Sequence, residues 1–302
     1  MVDAALQAES LLQWRRSLLQ REGGSAADLD WLLDLEGGLR WRDLQALRLH
    51  PTRSVALDCS LPHLEALWRR HRREQIPLQY LVGRCPWRDL EISVGPGVLI
   101  PRQETECLVD LALNHWSTSA GPSLWADLGT GSGCLAVALA RAWPSSQGIA
   151  VDRSPEALRQ ASRNLHLAGV DSRVTLLQGS WWEPLRSWWG GLQVVVANPP
   201  YIPSAVVDAL DPVVRLQEPR LALDGGCDGL DAFRVLLAGA LPALAPGGWL
   251  LVEHHHDQRD AVMELYRAAG FEQVEDHADL EGRSRFVAGR RPSAVADALA
   301  TP

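Results

Sequence analysis

Between Ala4 and Gln75 apolar residues return at every third or fourth position: Leu11, Leu12, Trp14 and Leu18, then Leu29, Leu32 and Leu33, then Leu44 and Leu47, then Leu61, Leu64, Leu67 and Trp68. That spacing predicts a small bundle of amphipathic helices over 1–76. Asp28 and Ser60 stand where N-caps are expected, Gly23-Gly24 and Gly37-Gly38 where helices stop, and Pro51 where one breaks. After Ile76-Pro77 the texture changes. Short β-like runs at 90–94 and 98–100, punctuated by Gly83, Gly95, Pro96 and Gly97, predict a β-hairpin linker over 77–100.

From Leu124 on, short apolar runs (LWADLG, GIAVD, VTLLQ, VVVAN, WLLVE, RFVAG) alternate with helical stretches (CLAVALARA, SPEALRQASRNLHLAG, GLDAFRVLLAGALPALA, QRDAVMELYRAAG). Nearly continuous apolar strands separated by helices predict a parallel sheet covered on both faces, a doubly wound α/β domain over 101–291. Residues 292–302 (PSAVADALATP) read as a frayed tail. There is no run of eighteen apolar residues, and Asp3 and Glu9 replace the basic flank of a secretory signal. No membrane span is expected, and the expected location is the cytoplasm.

Composition sharpens this picture. With 302 residues, 46% hydrophobic and 22% charged, and a mean hydropathy of -0.09, the chain is an ordinary globular one. All 29 basic residues are arginine. A Schiff-base lysine, a lysine general base and a phosphate-binding Walker lysine are therefore excluded. The net charge of -8 is uneven: residues 1–76 balance 11 Arg against 11 acids, and the remaining 18 Arg face 26 acids. A duplex-binding surface is disfavoured, since phosphate contacts need clustered positive charge. Five scattered cysteines (Cys59, Cys85, Cys107, Cys134, Cys227), with no C-x-x-C spacing, point to core fillers in a reducing compartment.

Candidate chemistry begins at Asp127, where DLGTGSG ends one predicted strand and opens a helix. Gly129, Gly131 and Gly133, with Thr130 and Ser132, allow a sharp turn and a close approach of backbone N–H groups to a ligand. Asp152 ends the next strand, where a carboxylate can accept both hydroxyls of a ribose. A nucleoside cofactor is the reading. The G-x-G-x-G spacing lacks a third glycine placed for packing under a pyrophosphate, which favours S-adenosylmethionine over NAD.

Asn198-Pro199-Pro200-Tyr201 follows the fourth strand, at the end of the sheet where ligands of open α/β folds bind. Methylating a planar amide or aryl amine requires a delocalised nitrogen lone pair to be aimed at a methyl donor. The Asn198 side-chain oxygen and the Pro199 carbonyl can each accept one N–H of such a group, and the Tyr201 ring can stack on it. No general base is needed, because the methylated nitrogen is acidic enough to lose its proton to water.

With these residues in view, the chain resembles the HemK/PrmC family, N5-glutamine methyltransferases that modify the GGQ motif of class-I peptide chain release factors. The resemblance spans about 60–291 and is carried by PLQYLVG (77–83), VLIPRQETE (98–106), DLGTGSG, ANPPYI, Glu218-Pro219, LALDGGCDGLDAF, PGGWLLVE and DLEGRSRFV. It implies a Rossmann-like class I methyltransferase with a seven-stranded, mostly parallel sheet, an N-terminal helical domain that docks the substrate, and a β-hairpin linker. It further implies that Asp127, Gly129, Thr130, Gly131, Ser132, Gly133, Asp152, Ser180 and Trp181 hold S-adenosylmethionine. Asn198, Pro199, Pro200 and Tyr201 would hold the glutamine amide, with Asn198 near both ligands. Arg102, Glu104 and Thr105 would wall the active site and orient the cofactor. Three departures stand out: Ser180 where the family commonly has an acid, Gln103 for a proline, and His254-His255-His256 where Glu-Ile-Gly or Glu-His-Gly is usual.

The same residues admit other readings. An adenine-N6 nucleic-acid methyltransferase shares N-P-P-Y but needs a basic groove; a non-catalytic S-adenosylmethionine-binding scaffold on translation factors would tolerate loss of Asn198 or the glycines; an NAD oxidoreductase lacks its loop spacing. The histidine triplet, read as part of a strand, alternates its faces and is not expected to hold a metal. Arg69, Arg70, Arg72 and Arg73 read as a solvated helix face rather than a contact to ribosomal RNA or a release factor. Trp182, Trp188 and Trp189 read as packing residues. Class-I release factors are the expected partner, with neither sequence-specific nucleic acid nor membrane, and a monomer is expected.

Overall fold

The computed structural model describes residues 6–116 and 121–293. The expected tail lies, from residue 294, outside the described residues. The chain divides into two compact units: one running to Arg84 and taking in Pro212–Gln217, the other comprising Cys85–Asp211 and the chain from Glu218 on.

The first unit contains β1 (Leu6–Gln7), α1 (Ala8–Glu22), α2 (Ala26–Leu35), α3 (Trp41–Leu47), β2 (Ser54–Val55), α4 (Leu61–Glu74) and α5 (Leu78–Val82). Leu11, Leu18, Leu29, Leu32, Leu33, Leu44, Leu64 and Trp68 are fully buried and form its core, as their spacing predicts. Ser60 caps α4 by accepting from His63 N (3.4 Å). The cap of α2, however, is Ser25, which accepts from Ala27 N and Asp28 N. Asp28 instead falls in the first turn, where its charge complements the helix dipole. Three arginines of the basic run are occupied by acids of their own unit: Arg69 and Arg73 pair with Glu22, Arg69 also with Glu65, and Arg70 with Glu74. Gln217 Nε2 donates to Glu74 O (3.2 Å), which fastens Pro212–Gln217 to this unit.

Past α5, β3 (Arg84–Trp87) pairs with β4 (Leu90–Ser93) across a turn in which Arg88 adopts φ 54°. The hairpin exists, but its first strand is RCPW, and no strand forms at 98–100. Gly97 turns the chain at φ 88° and Pro101 has no N–H to give a ladder, so Val98 and Ile100 are buried as loop residues.

The remaining elements are α6 (Glu106–His115), β5 (Leu124–Leu128), α7 (Cys134–Ala142), β6 (Gln147–Asp152), α8 (Pro155–Leu167), β7 (Val174–Gln178), β8 (Leu192–Ala197), α9 (Ser204–Val207), then, after α10 (Pro212–Gln217) of the first unit, α11 (Asp231–Ala243), β9 (Leu244–Glu253), α12 (Arg259–Ala268), β10 (Glu272–Ala278) and β11 (Ser284–Arg290). Seven strands form one sheet in the order β10-β11-β9-β8-β5-β6-β7. It is parallel from β9 to β7, and β11 runs antiparallel to both its neighbours. This is the expected doubly wound sheet with one strand beyond the six predicted runs. The additional strand, β10, reads EQVEDHA and carries no apolar alternation to betray it.

Packing inside the sheet is close. Trp125 on β5 is in register with Gly148 on β6, and a Cβ on Gly148 would meet Trp125 Cζ2 at 2.2 Å. Gly148→Ala is expected to destabilise the protein by about 1–3 kcal/mol through overpacking. The readout is a lower denaturation midpoint at unchanged slope; an unchanged midpoint would refute so tight a fit. Of the cysteines, Cys85 and Cys134 are buried as core fillers, whereas Cys227 is exposed. Among the described residues no helix is long and apolar enough to cross a membrane.

Candidate active site

Register builds the site. Leu128 at the end of β5 pairs with Val151 of β6 and Ala197 of β8, and Ala197 pairs with Val252 of β9. Because these parallel strands end level, Gly129, Asp152, Asn198 and Glu253 emerge side by side. They flank the point between β5 and β8 where the strand order reverses, the usual ligand crevice of such sheets.

The glycine loop is held down by backbone bonds from Gly129 N and Thr130 N to Val151 O (2.8 and 2.9 Å). All three glycines have positive φ (76°, 56° and 81°). A Cβ on Gly131 would meet nothing nearer than 4.0 Å, so this backbone faces open space, while one on Gly133 would lie 3.0 Å from Ala161 Cα of α8. The third glycine is therefore the close-packing one, although it stands one position earlier than in G-x-G-x-x-G. Asp152 accepts from Gly131 N with Oδ2 and from Ser154 N with Oδ1, both at 2.9 Å. Each of its oxygens keeps a second lone pair for a ligand hydroxyl. Burial raises its pKa. Asp127 is fully buried; its carboxyl, pushed up to about 7 by burial, accepts from Thr130 Oγ1 (2.6 Å) through Oδ2, and its Oδ1 has no partner.

These loops border a cavity of about 310 Å³, within the range of small-molecule sites. Gly129, Thr130, Gly131, Ser132, Asp152, Ser180, Trp181, Asn198, Pro200, Arg102 and Thr105 line it. Trp181, held at φ 48°, brings its ring to 3.4 Å from the position of a Cβ on Gly129. A flat aromatic wall, open glycine backbone and a carboxylate at the far strand end fit a nucleoside ligand.

Opposite the glycine loop runs a chain of hydrogen bonds. Asn198 Nδ2 donates to Thr105 Oγ1 (2.9 Å), Thr105 Oγ1 donates to Glu253 Oε2 (2.6 Å), and Tyr201 OH donates to Glu253 Oε1 (3.2 Å). Thr105 and Glu253 are buried, and burial pushes the Glu253 carboxyl up to about 7. The direction of this chain fixes the Asn198 amide. With the Thr105 proton committed to Glu253, its oxygen can only accept from Asn198, so Asn198 presents Oδ1 as a free acceptor at the cavity. The neighbouring backbone is clamped as well: Gln258 Nε2 donates to Tyr201 O (2.9 Å) and Gly229 O (3.2 Å). At Gly225 and Gly229 a Cβ would collide with the backbone of Pro200 or Tyr201, which accounts for the first and last glycines of DGGCDG.

The methyltransferase-domain family matches residues 126–219. A protein named release factor glutamine methyltransferase from Prochlorococcus marinus is 51% identical over 94% of this chain and 97% of its own length. One of the same name from Synechocystis sp. is 40% identical over 93% and 96%. The chain belongs to the release factor glutamine methyltransferase family. Among solved structures, a release factor-specific protein-(glutamine-N5) methyltransferase from Alicyclobacillus acidocaldarius is 28% identical, covering 66% of this chain and 99% of that one at a TM-score of 0.41.

Set against what the family resemblance implied, five residues are placed away from the cavity lining: Asp127 beneath the loop, Gly133 against α8, Pro199 buried, Glu104 exposed, and Tyr201 turned to Glu253. Tyr201 thus supports the network instead of presenting its ring face to the cavity. Arg102 meets both oxygens of the buried Glu218 (2.9 and 2.8 Å). Glu253 and Gln258, which hold this loop, are not among the candidate residues the sequence marks. One signal was available: Glu253 is a lone acid closing the otherwise apolar run WLLV. The histidine triplet is not on a strand, since β9 ends at Glu253. His254 is buried with Nδ1 at 2.7 Å from His255 O, and His255 Nδ1 lies 2.6 Å from Asp257 Oδ1. Trp182 is buried and donates to Leu236 O (2.8 Å), a packing role.

Proposed function

We propose that this protein methylates the side-chain amide nitrogen of the GGQ glutamine in class-I peptide chain release factors, with S-adenosylmethionine as donor. The observation that carries this reading is the polarity of the Asn198–Thr105–Glu253 chain, which leaves a carbonyl-type acceptor pointed where an NH₂ group must be held. The cofactor supplies an electrophilic methyl on sulfur. Gly129, Gly131, Asp152, Trp181 and the hydroxyl of Ser180 would hold it.

Asn198 Oδ1 accepts one N–H of the glutamine amide and aims the nitrogen lone pair. As positive charge grows on that nitrogen, this acceptor strengthens. A preorganised contact of this kind is worth about 3–4 kcal/mol at the transition state. The surplus proton leaves to water, so a chain without lysine loses nothing. The N-terminal helical unit docks the release factor.

The test is mass spectrometry of a release factor incubated with the protein and S-adenosylmethionine. A gain of one methyl on the GGQ glutamine is expected. An unmodified factor, with methyl on adenine of added nucleic acid instead, would overturn the reading.

A further inference from the structure

We propose that His115, Glu275 and His277 form a binding site for a divalent metal of the zinc class, tying the end of α6 to strand β10. Glu275 and His277 stand two apart on β10, so the pleat puts both on one face. His115, in the last turn of α6, supplies the third donor. His115 Nε2 lies 3.4 Å from His277 Nε2 and 3.8 Å from Glu275 Oε2, and His277 Nε2 lies 3.5 Å from the same oxygen.

These separations decide between two readings. Ordinary hydrogen bonds between such atoms fall at about 2.7–3.2 Å, and all three edges of the triangle exceed that. A tetrahedral ion with bonds of about 2.0–2.1 Å sets its donors roughly 3.3–3.4 Å apart, close to what is found. Two imidazoles and one carboxylate suit zinc and cobalt.

The surroundings fit as well. The Trp249 ring packs on His115 at 4.1 Å between centroids and fixes the imidazole. The three side chains are 12%, 45% and 27% exposed, which gives an ion a way in and leaves a fourth position for water. The other converging donor group among the described residues, Glu36, Cys59 and His63, is differently placed. There His63 Nε2 makes an ordinary contact to Glu36 (3.1 Å), Arg84 lies 3.6 Å from the same carboxylate, and burial pushes the Cys59 thiol up to about 11.

The experiment uses the untagged full chain, stripped with a chelator, then titrated with cobalt(II) alone and with zinc(II) alone against a chromophoric chelator. One equivalent should bind. Cobalt should give visible d–d absorption without a thiolate charge-transfer band, and zinc should raise the melting temperature. His115→Gln, His277→Gln and Glu275→Gln should each weaken binding by about tenfold or more, with metal-free melting temperatures near the parent's. The proposal is overturned by absence of stoichiometric binding, by affinities unchanged in all three variants, or by a thiolate band that disappears with Cys59→Ser. No outcome depends on a release factor or on methyl transfer.

Discussion

Replacing Asn198 by alanine lowers turnover by about a hundredfold or more while leaving cofactor affinity within a few-fold of the parent, the loss expected of one preorganised transition-state acceptor. The asymmetry follows from geometry. The cavity wall proposed to hold the cofactor is formed by the glycine loop, Asp152 and Trp181, none of which takes a hydrogen bond from Asn198, whose Nδ2 is spent on Thr105. Removing the side chain therefore deletes Oδ1 from the substrate side and leaves the opposite wall standing. Calorimetric titration with S-adenosylmethionine gives the affinity, and single-turnover methylation of a release factor gives the rate. A rate within threefold of the parent would remove Asn198 from the mechanism.

Glu253 should divide activity and stability in opposite directions with pH. Burial lifts its carboxyl to about 7, against a smaller pull downward from the Thr105 and Tyr201 hydroxyls. As a carboxylate it accepts from both hydroxyls; once protonated, one oxygen becomes a donor, and the Thr105 proton is turned back toward Asn198. Turnover of the parent should thus rise with pH through about 7 and level off above it. Glu253→Gln, a fixed mimic of the protonated form, should be slower by about tenfold or more at pH 8 and should lose that rise.

Stability runs the other way. The folded protein holds this proton up to about 7, whereas an unfolded chain releases it near the ordinary 4.5. The group's contribution is full below that lower value and is lost as pH climbs through the upper one. The melting temperature of Glu253→Gln should therefore gain on the parent between pH 5 and pH 8. The variant comparison also separates Glu253 from Asp127, whose carboxyl burial lifts to a similar value. A difference in melting temperature that stays constant over this range would contradict the assignment.

Much of the architecture was legible in the chain because apolar side chains choose their partners by burial. The leucines of the helical unit and the six apolar runs of the sheet follow from period and run length. What failed to show was polar or long-range. Strand β10 is set by its pairing with β11 and has almost no apolar content to announce it. Ser25 displaced Asp28 as a cap because either residue satisfies the same local rule. In the site, the glycine loop, Asp152 and Asn198 could be read locally. The chain from Thr105 to Glu253 joins residues 148 positions apart, and no spacing rule reaches that far.

Strand β10 carries one more consequence, for the solution behaviour of the protein. It is an outer strand of the sheet, and an exposed strand of that kind is a template on which another chain can add. Glu272, Glu275 and Asp276 make an added strand bury charge, and the register shifts beside Glu275 and Ala278 spoil a continuous ladder. The polarity that hides β10 from pattern reading is thus also what discourages its sheet from growing by edge-to-edge association.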